Sequence, residues 1–354
     1  MTLIKSISGI RGTIGGPPGD TLSPLDLVKF TSAFAGFIRK RSGKEKPLMV
    51  LGRDARISGE MVNQIVCGTL TACGVDVIDT GLSTTPTVEV AVTGCQADGG
   101  IILTASHNPA EWNALKLLNE KGEFISAQEG AEVLAAAEKG KFDYAAVDKL
   151  GSCQQDDSWI DKHIDQVLAL PLVDSEAIRH AGFRVAVDGV NSTGGIAMPR
   201  LLKALGVAEV YELYCTPNGH FPHNPEPLPE HLTELRKQVV EKKADLGLAV
   251  DPDVDRLAIV DEKGEMFGEE YTLVAVADYV LQQQAGNTVS NLSSTRALRD
   301  ITEKYGQQYF ASAVGEVNVV EMMKTKNAVI GGEGNGGVIY PELHYGRDAL
   351  VVHG

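Results

Sequence analysis

The chain has 354 residues, more than one ordinary core needs and enough for two or three domains. A hydrophobic content of 43% with 38 glycines excludes disorder and fits the α/β class, whose tight strand-to-helix turns use glycine. A net charge of -15 excludes a general binder of nucleic acid or anionic membrane, because both need a basic surface, whereas a small phosphorylated ligand needs only a few placed cations.

In chain order, a helix is expected from Pro24, capped by Ser23, followed by a strand at Leu48 to Leu51 and a helix from Gly59. Strands at Val75 to Asp79 and Gly100 to Thr104 come next, then a hairpin turn at Asn119–Gly122 between Leu115–Leu118 and Glu123–Ile125. The helix Glu129 to Gly140 runs into the polar stretch Gly151 to Asp157, which places a domain boundary near Leu150. A second α/β unit follows, with helix Ser158 to Leu170, strand Arg184 to Asp188, a helix ending at Leu205 and strand Glu209 to Leu213. The Pro-, Asn- and His-rich segment Pro217 to Pro229 cannot be helical and reads as an ordered loop before the helix Glu230 to Lys242. After strand Leu246 to Val250 and loop Asp251 to Arg256, a third unit begins at Leu257 and includes a helix at Glu269 to Gln284. No sequence repeat of fixed period is visible.

Cys67, Cys73, Cys95, Cys153 and Cys215 are scattered without CxxC spacing, so they read as idle thiols, with neither a disulfide framework nor a zinc site. Residues 1–12 lack an apolar leader core and no stretch is long enough to span a bilayer, which makes the cytoplasm the expected location.

Three segments could carry chemistry. In Thr104-Ala105-Ser106-His107-Asn108-Pro109 a serine follows the apolar run Ile101 to Leu103, so its hydroxyl leaves the end of a buried strand where α/β proteins bind ligands. The setting suits a phosphoryl carrier and lacks the Gly-x-Ser-x-Gly pattern of a hydrolase elbow. In Asp251-Pro252-Asp253-Val254-Asp255-Arg256 alternate aspartates in an extended loop can turn three hard oxygens to one point, as Mg²⁺ requires. An EF-hand does not fit, because Arg256 stands at the glycine position and the flanks are strands. Arg256 beside a cation site makes sense if the bound species is a phosphate. In Gly331-Gly332-Glu333-Gly334-Asn335-Gly336-Gly337 the glycines permit close approach of a ligand, while Glu333 and Asn335 offer groups for vicinal hydroxyls. Smaller signals are Ser8-Gly9-Ile10-Arg11-Gly12, the run Gly52-Arg53-Asp54-Ala55-Arg56, and Lys116 on the strand returning from the serine. Either arginine run could equally form a loop salt bridge worth little.

Taken in this order, the motifs resemble those of the α-D-phosphohexomutase family, which includes phosphoglucomutase, phosphomannomutase and phosphoglucosamine mutase, and the resemblance covers essentially the whole chain. It implies three consecutive similar α/β domains with mixed sheets flanked by helices: residues 1–150 with the phosphoserine loop, 151–256 with the metal loop and 257–354 with the sugar loop. The family's fourth domain, which grips the non-reacting phosphate, is expected to be absent. The implied activity is an intramolecular phosphotransferase that interconverts hexose 1-phosphate and 6-phosphate through a bisphosphorylated intermediate, impaired without that domain. The alternative is a non-catalytic phosphosugar-binding fragment. Ser106, His107, Lys116 and Arg11 are the implied catalytic residues, and Ser106, Asp251, Asp253 and Asp255 the ligands of Mg²⁺. Arg256, Glu333 and Asn335 would bind substrate, with hexose 1,6-bisphosphate as activator. The partner is a small hexose phosphate, a homodimer being compatible, and neither nucleic acid nor membrane is expected. Asn335 and Gly337 stand where the family commonly has the Ser and His of Ser-Gly-His, a variant associated with bifunctional or glucosamine-directed branches.

Overall fold

The computed structural model describes residues 1–6 and 9–353, so Ser8 of the first arginine motif and the terminal Gly354 lie outside the described residues. Two compact units are present, Met1–Ile160 with Asn218–His220, and Asp161–Pro217 with Phe221–Gly354.

The first unit comprises β1 (Ile4–Ser6), β2 (Gly9–Thr13), α1 (Pro24–Ser42), β3 (Leu48–Arg53), α2 (Gly59–Ala72), β4 (Asp76–Leu82), α3 (Thr85–Gly94), β5 (Gly99–Leu103), β6 (Trp112–Leu118), α4 (Ala127–Lys139) and β7 (Cys153–Gln155). The strands form one sheet in the order β1-β2-β6-β5-β3-β4-β7. Strands β5, β3, β4 and β7 run parallel, and β6 returns antiparallel beside β5. Helix α1 begins where the sequence places it, because Ser23 and Asp26 form a reciprocal capping box with Pro24 in the first turn. Its apolar stripe, Leu27, Phe30, Phe34 and Ile38, packs with α2 on Met49, Leu51, Ile101 and Leu103. Each such large side chain contributes about 1.5–3 kcal/mol by burial. The other face carries Val50, Ile102 and Leu118 beneath Val88, Ala91 and Val92 of α3. Apolar residues on both faces of β3 and β5 thus explain why these strands read as continuous hydrophobic runs.

Helix α3 is absent from the sequence reading, because its Thr- and Val-rich sequence has strand propensity. The Thr84 hydroxyl accepts from the Thr87 N–H, Pro86 stands in the first turn, and burial of the Val88–Val92 face decides the outcome. The polar stretch Gly151 to Asp157 also departs from a plain linker, since Cys153–Gln155 pairs with β4. That pairing brings Cys153 to Cys67 of α2, with the sulfurs 2.7 Å apart, so these two cysteines are neighbours rather than scattered thiols. The Asn119–Gly122 turn forms, but the return past it makes a single bridge, Leu118 to Phe124, in place of a strand.

The second unit holds two four-stranded sheets. Its first part comprises α5 (Trp159–Leu168), whose opening residues Trp159 and Ile160 belong to the first unit, α6 (Ser175–Ala181), β8 (Arg184–Asp188), α7 (Gly194–Leu205), β9 (Glu209–Leu213), α8 (Thr233–Lys242), β10 (Leu246–Val250) and β11 (Leu257–Asp261), with strand order β11-β10-β8-β9. Strand β11, which the sequence reading assigns to the third unit, is thus the antiparallel edge of the second sheet. The loop 217–229 is held by His223, whose Nε2 lies 2.9 Å from the Asp188 carboxylate. The remainder is α9 (Glu269–Gln283), β12 (Asn287–Asn291), α10 (Ala297–Lys304), β13 (Tyr309–Ser312), α11 (Glu316–Lys326), β14 (Ala328–Glu333) and β15 (Gly337–Ile339), with order β13-β12-β14-β15. Leu273, Ala277 and Val280 of α9 cover Ile330 and Val338 on one face, and Val319 and Met323 of α11 cover Val289 and Ile339 on the other. Among the described residues no helix is long and apolar enough to cross a membrane.

The sheets share a core order: β6-β5-β3-β4, β11-β10-β8-β9 and β15-β14-β12-β13. In each, three parallel strands are flanked by one antiparallel strand on the same side. What repeats is therefore topology, and it leaves no periodic trace in the sequence.

Candidate active site

All three motifs fall on the same connection of this repeated topology, the one from the last parallel strand to its antiparallel neighbour. The serine loop joins β5 to β6, the aspartate loop joins β10 to β11, and the glycine-rich segment turns β14 into β15. The sheets bring each loop out at the carboxyl end of a parallel strand, where α/β proteins place ligands.

Ser106 lies in the first unit and is buried, with φ 49 in the left-handed region that serine rarely adopts. Its N–H donates to the Thr104 hydroxyl at 2.9 Å, and its own hydroxyl lies 3.4 Å from His107 Nδ1. The loop is held from within by Arg56, which is fully buried. Nε donates to Asp54 at 3.0 Å, Nη1 to the carbonyls of Pro109 and Trp112 at 2.6 and 2.9 Å, and Nη2 to those of Ser106 and Asn108 at 2.5 and 2.7 Å. Asp54 also accepts from the Thr104 hydroxyl at 2.7 Å. All five guanidinium donors are thus satisfied, four of them by the backbone of the serine loop and its continuation. The expectation of a weak loop salt bridge for this run does not hold for Asp54 and Arg56. The signal was the Asp-x-Arg spacing after a buried strand, but which carbonyls the arginine serves is not written in its neighbours. Arg53, by contrast, pairs with the exposed Glu60.

Arg11 on β2 pairs in register with Ala114 of β6, and Lys116 is two residues further along β6, so both project from one face of the sheet as diagonal neighbours. Lys116 Nζ sits over the Phe124 ring, 5.6 Å from its centroid.

In the second unit Asp251, Asp253 and Asp255 are all fully buried, and each offers a carboxylate oxygen within 4.8 Å of the others. The turn is set by Asp251, whose carboxylate accepts the N–H groups of Asp255 and Arg256, both at 3.2 Å, and by Val254 with φ 64. Ser192 and Thr193 hydroxyls clamp the Pro252 carbonyl from outside, at 2.7 and 2.9 Å. Burial, reinforced by the like charges of Asp255 and Asp253, pushes the Asp251 carboxyl well above the usual range. Three hard oxygen donors that repel one another in a dry pocket fit a divalent cation, so the trio can hold a metal. Arg256 lies at the loop's end, with Nε 3.7 Å from Asp255 and Nη1 3.9 Å from Glu226.

The glycine-rich segment is a tight hairpin rather than a mobile turn. Gly331, Gly332 and Glu333 belong to β14, and Gly337 opens β15. Gly336 has φ 84, and a Cβ there would stand 2.4 Å from the Leu257 carbonyl, while its own carbonyl accepts the Leu257 N–H at 3.1 Å. Only glycine fits that approach, which docks the glycine-rich hairpin against the exit of the aspartate loop. Ala349 adds a second tie by donating its N–H to the Val254 carbonyl at 3.2 Å. Glu333 is buried, with Oε1 accepting from Asn291 at 2.7 Å and from the Gly315 N–H at 3.2 Å. Its Oε2 takes Arg347, a residue the sequence reading did not single out. Asn335 turns its side-chain oxygen to the Gly337 N–H at 3.2 Å.

Three α/β domains carrying a strained serine, a buried trio of aspartates and a glycine-rich hairpin define an intramolecular phosphotransferase built from repeated modules. Comparison with known proteins fixes the family. The chain belongs to the phosphoglucomutase/phosphomannomutase family, whose α/β/α domains I, II and III match residues 3–144, 161–264 and 268–353. It is similar to a phosphoglucomutase/phosphomannomutase of Thermococcus kodakarensis, at 37% identity over 345 residues, covering 96% of this chain and 75% of that protein. A phosphoglucosamine/phosphogalactosamine mutase of Sulfurisphaera tokodaii is 31% identical over 360 residues, 99% of this chain and 76% of that one. Among solved structures, a family protein from Burkholderia thailandensis superposes with a TM-score of 0.85 at 26% identity, covering all of this chain and 76% of its own. The chain is thus an isomerase of the mutase type.

Proposed function

We propose that the chain interconverts the 1- and 6-phosphates of a hexose through phospho-Ser106 and a bisphosphorylated sugar, with Mg²⁺ held by Ser106, Asp251, Asp253 and Asp255. The observation that carries this reading is the trio of fully buried, mutually repelling carboxylates on the β10–β11 connection. A bound cation neutralises charge on the transferring phosphoryl group. Ser106 Oγ hands its phosphoryl to a hydroxyl of the hexose monophosphate, and the intermediate then returns its other phosphoryl to the same oxygen. Arg56 supports this by fixing the serine backbone. Lys116 Nζ, with Arg11 on the same sheet face, accepts the proton of the attacking hydroxyl, and His107 stands beside the serine oxygen. Arg256 binds phosphate, while Glu333 and Asn335 read the sugar hydroxyls. Hexose 1,6-bisphosphate serves as activator by charging Ser106, and the enzyme works in the cytoplasm. The substrate is either a glucosamine phosphate or a mannose or glucose phosphate, the two classes named by the relatives described above.

Intact-mass measurement tests the reading. Incubation with glucose 1,6-bisphosphate and Mg²⁺ is expected to add one phosphate to the wild-type chain and none to Ser106→Ala. A wild-type chain that never gains the phosphate would instead be a phosphosugar binder.

A further inference from the structure

Arg347 lies outside every motif, yet its side chain meets three carboxylates from three segments, the buried Asp255 and Glu333 and the largely covered Glu316. Nη2 donates to Asp255 at 2.5 Å, Nη1 donates to Glu333 at 2.7 Å, and Nε stands 3.1 Å from Glu316. Its backbone N–H adds a hydrogen bond to the other Glu316 oxygen at 2.9 Å. Burial works against the charge, but Asp255, Glu316 and Glu333 together outweigh it and hold the guanidinium protonated. The stem reaches this position through space left by Gly337, where a Cβ would stand 2.3 Å from Arg347 Cδ. The absent side chain at 337 and the buried arginine are thus one arrangement.

We propose that Arg347 is a positioning residue that couples the metal loop to the sugar loop, with Asp255 of the first and Glu333 of the second on one guanidinium. This rests on the reading of Asp255 as a metal ligand and of Glu333 as a sugar contact. Any shift of the Asp255 carboxylate on binding a cation pulls on the group that orients Glu333, so cation and sugar affinities become linked, reciprocally as linkage demands. Lysine keeps the charge but cannot span three carboxylates with a fixed fork. Gly337→Ala keeps the arginine but puts a methyl where its stem runs.

The test uses the full chain with Mn²⁺, followed by electron paramagnetic resonance, and glucose 1-phosphate, followed by calorimetry. In the wild type, saturating Mn²⁺ is expected to tighten glucose 1-phosphate about tenfold, within the usual range of such couplings. In Arg347→Lys and Gly337→Ala the tightening should shrink to within about twofold, while Mn²⁺ affinity alone stays within about threefold of wild type. A purely structural arginine would lower the melting temperature and leave the tightening factor intact. If the factor survives in both variants, or is absent from the wild type although both ligands bind, the role assigned to Arg347 is wrong. If wild type binds neither Mn²⁺ nor glucose 1-phosphate, the site reading fails first and takes this inference with it. Should Arg347→Lys not fold, Gly337→Ala decides alone.

Discussion

Replacing Arg56 by methionine tests how the serine loop is built. The change removes the guanidinium that faces the buried Asp54 carboxylate and withdraws a donor from the carbonyls of Ser106, Asn108, Pro109 and Trp112. Breaking a buried pair from one side costs about 3–5 kcal/mol. Four carbonyls at the low end of about 1 kcal/mol each bring the ceiling to roughly 7–9 kcal/mol. Water entering the loosened loop recovers part of this, so the expected loss is about 5 kcal/mol, comparable to the whole stability of many domains. Both tryptophans, Trp112 and Trp159, belong to the first unit, so urea unfolding followed by tryptophan fluorescence reports on that unit. Arg56→Lys, which can serve Asp54 but not the full set of carbonyls, should lose about half as much. A loss below about 1.5 kcal/mol for the methionine variant would show that the loop holds itself, and the argument for Arg56 as its scaffold would be refuted.

Other outcomes follow from the same geometry. Asp253→Asn is expected to abolish Mn²⁺ binding and phosphoryl transfer while leaving stability within about 1 kcal/mol of wild type or higher, because it relieves repulsion among buried carboxylates; a variant that simply unfolds would contradict this. Burial alone would raise the Asp348 carboxyl, but His163 and His344, with Nε2 atoms 3.0 and 3.2 Å away, outweigh it and hold it well below the carboxylate range. A depressed carboxylate contributes stability that is present above its unfolded value and lost as pH falls through its folded one, so acid unfolding below about pH 4 should be steeper in wild type than in Asp348→Asn. Burial, with Cys153 beside it, pushes the Cys67 thiol up to about 12, which leaves the exposed Cys153 to meet an oxidant. Mild peroxide should join the two sulfurs, seen as a loss of two hydrogens in intact mass and a gain of about 2–4 kcal/mol, both prevented by Cys153→Ser.

Much of the fold was legible where local chemistry and burial agree. The Ser23 cap, the strand Arg184 to Asp188 and the helix at Glu269 stand where periodicity puts them. Helix α3 was hidden because its β-branched residues favour strand until both sheet faces demand cover. Strand β11 lies in the second sheet rather than opening the third unit, and nothing in Leu257 to Val260 says which neighbour it pairs with. At the site, the motif residues stand out by spacing, since three alternate aspartates exceed what an ordinary turn needs, whereas the glycine run alone reads equally as a turn. Arg56 and Arg347 do not, because their partners are backbone carbonyls or acids far along the chain. Side chains that meet a ligand leave a local pattern, whereas those that hold them in place are visible only once the chain has folded.

The backbone at Ser106 has one more implication. A left-handed residue bearing a Cβ gives up about 1 kcal/mol or more relative to glycine at the same place. Glycine would relax that bend, and alanine would not, so the two truncations of Ser106 should part company in thermal stability even though both remove the oxygen. The fold thus holds a hydroxyl at a point where the backbone itself would prefer no side chain at all.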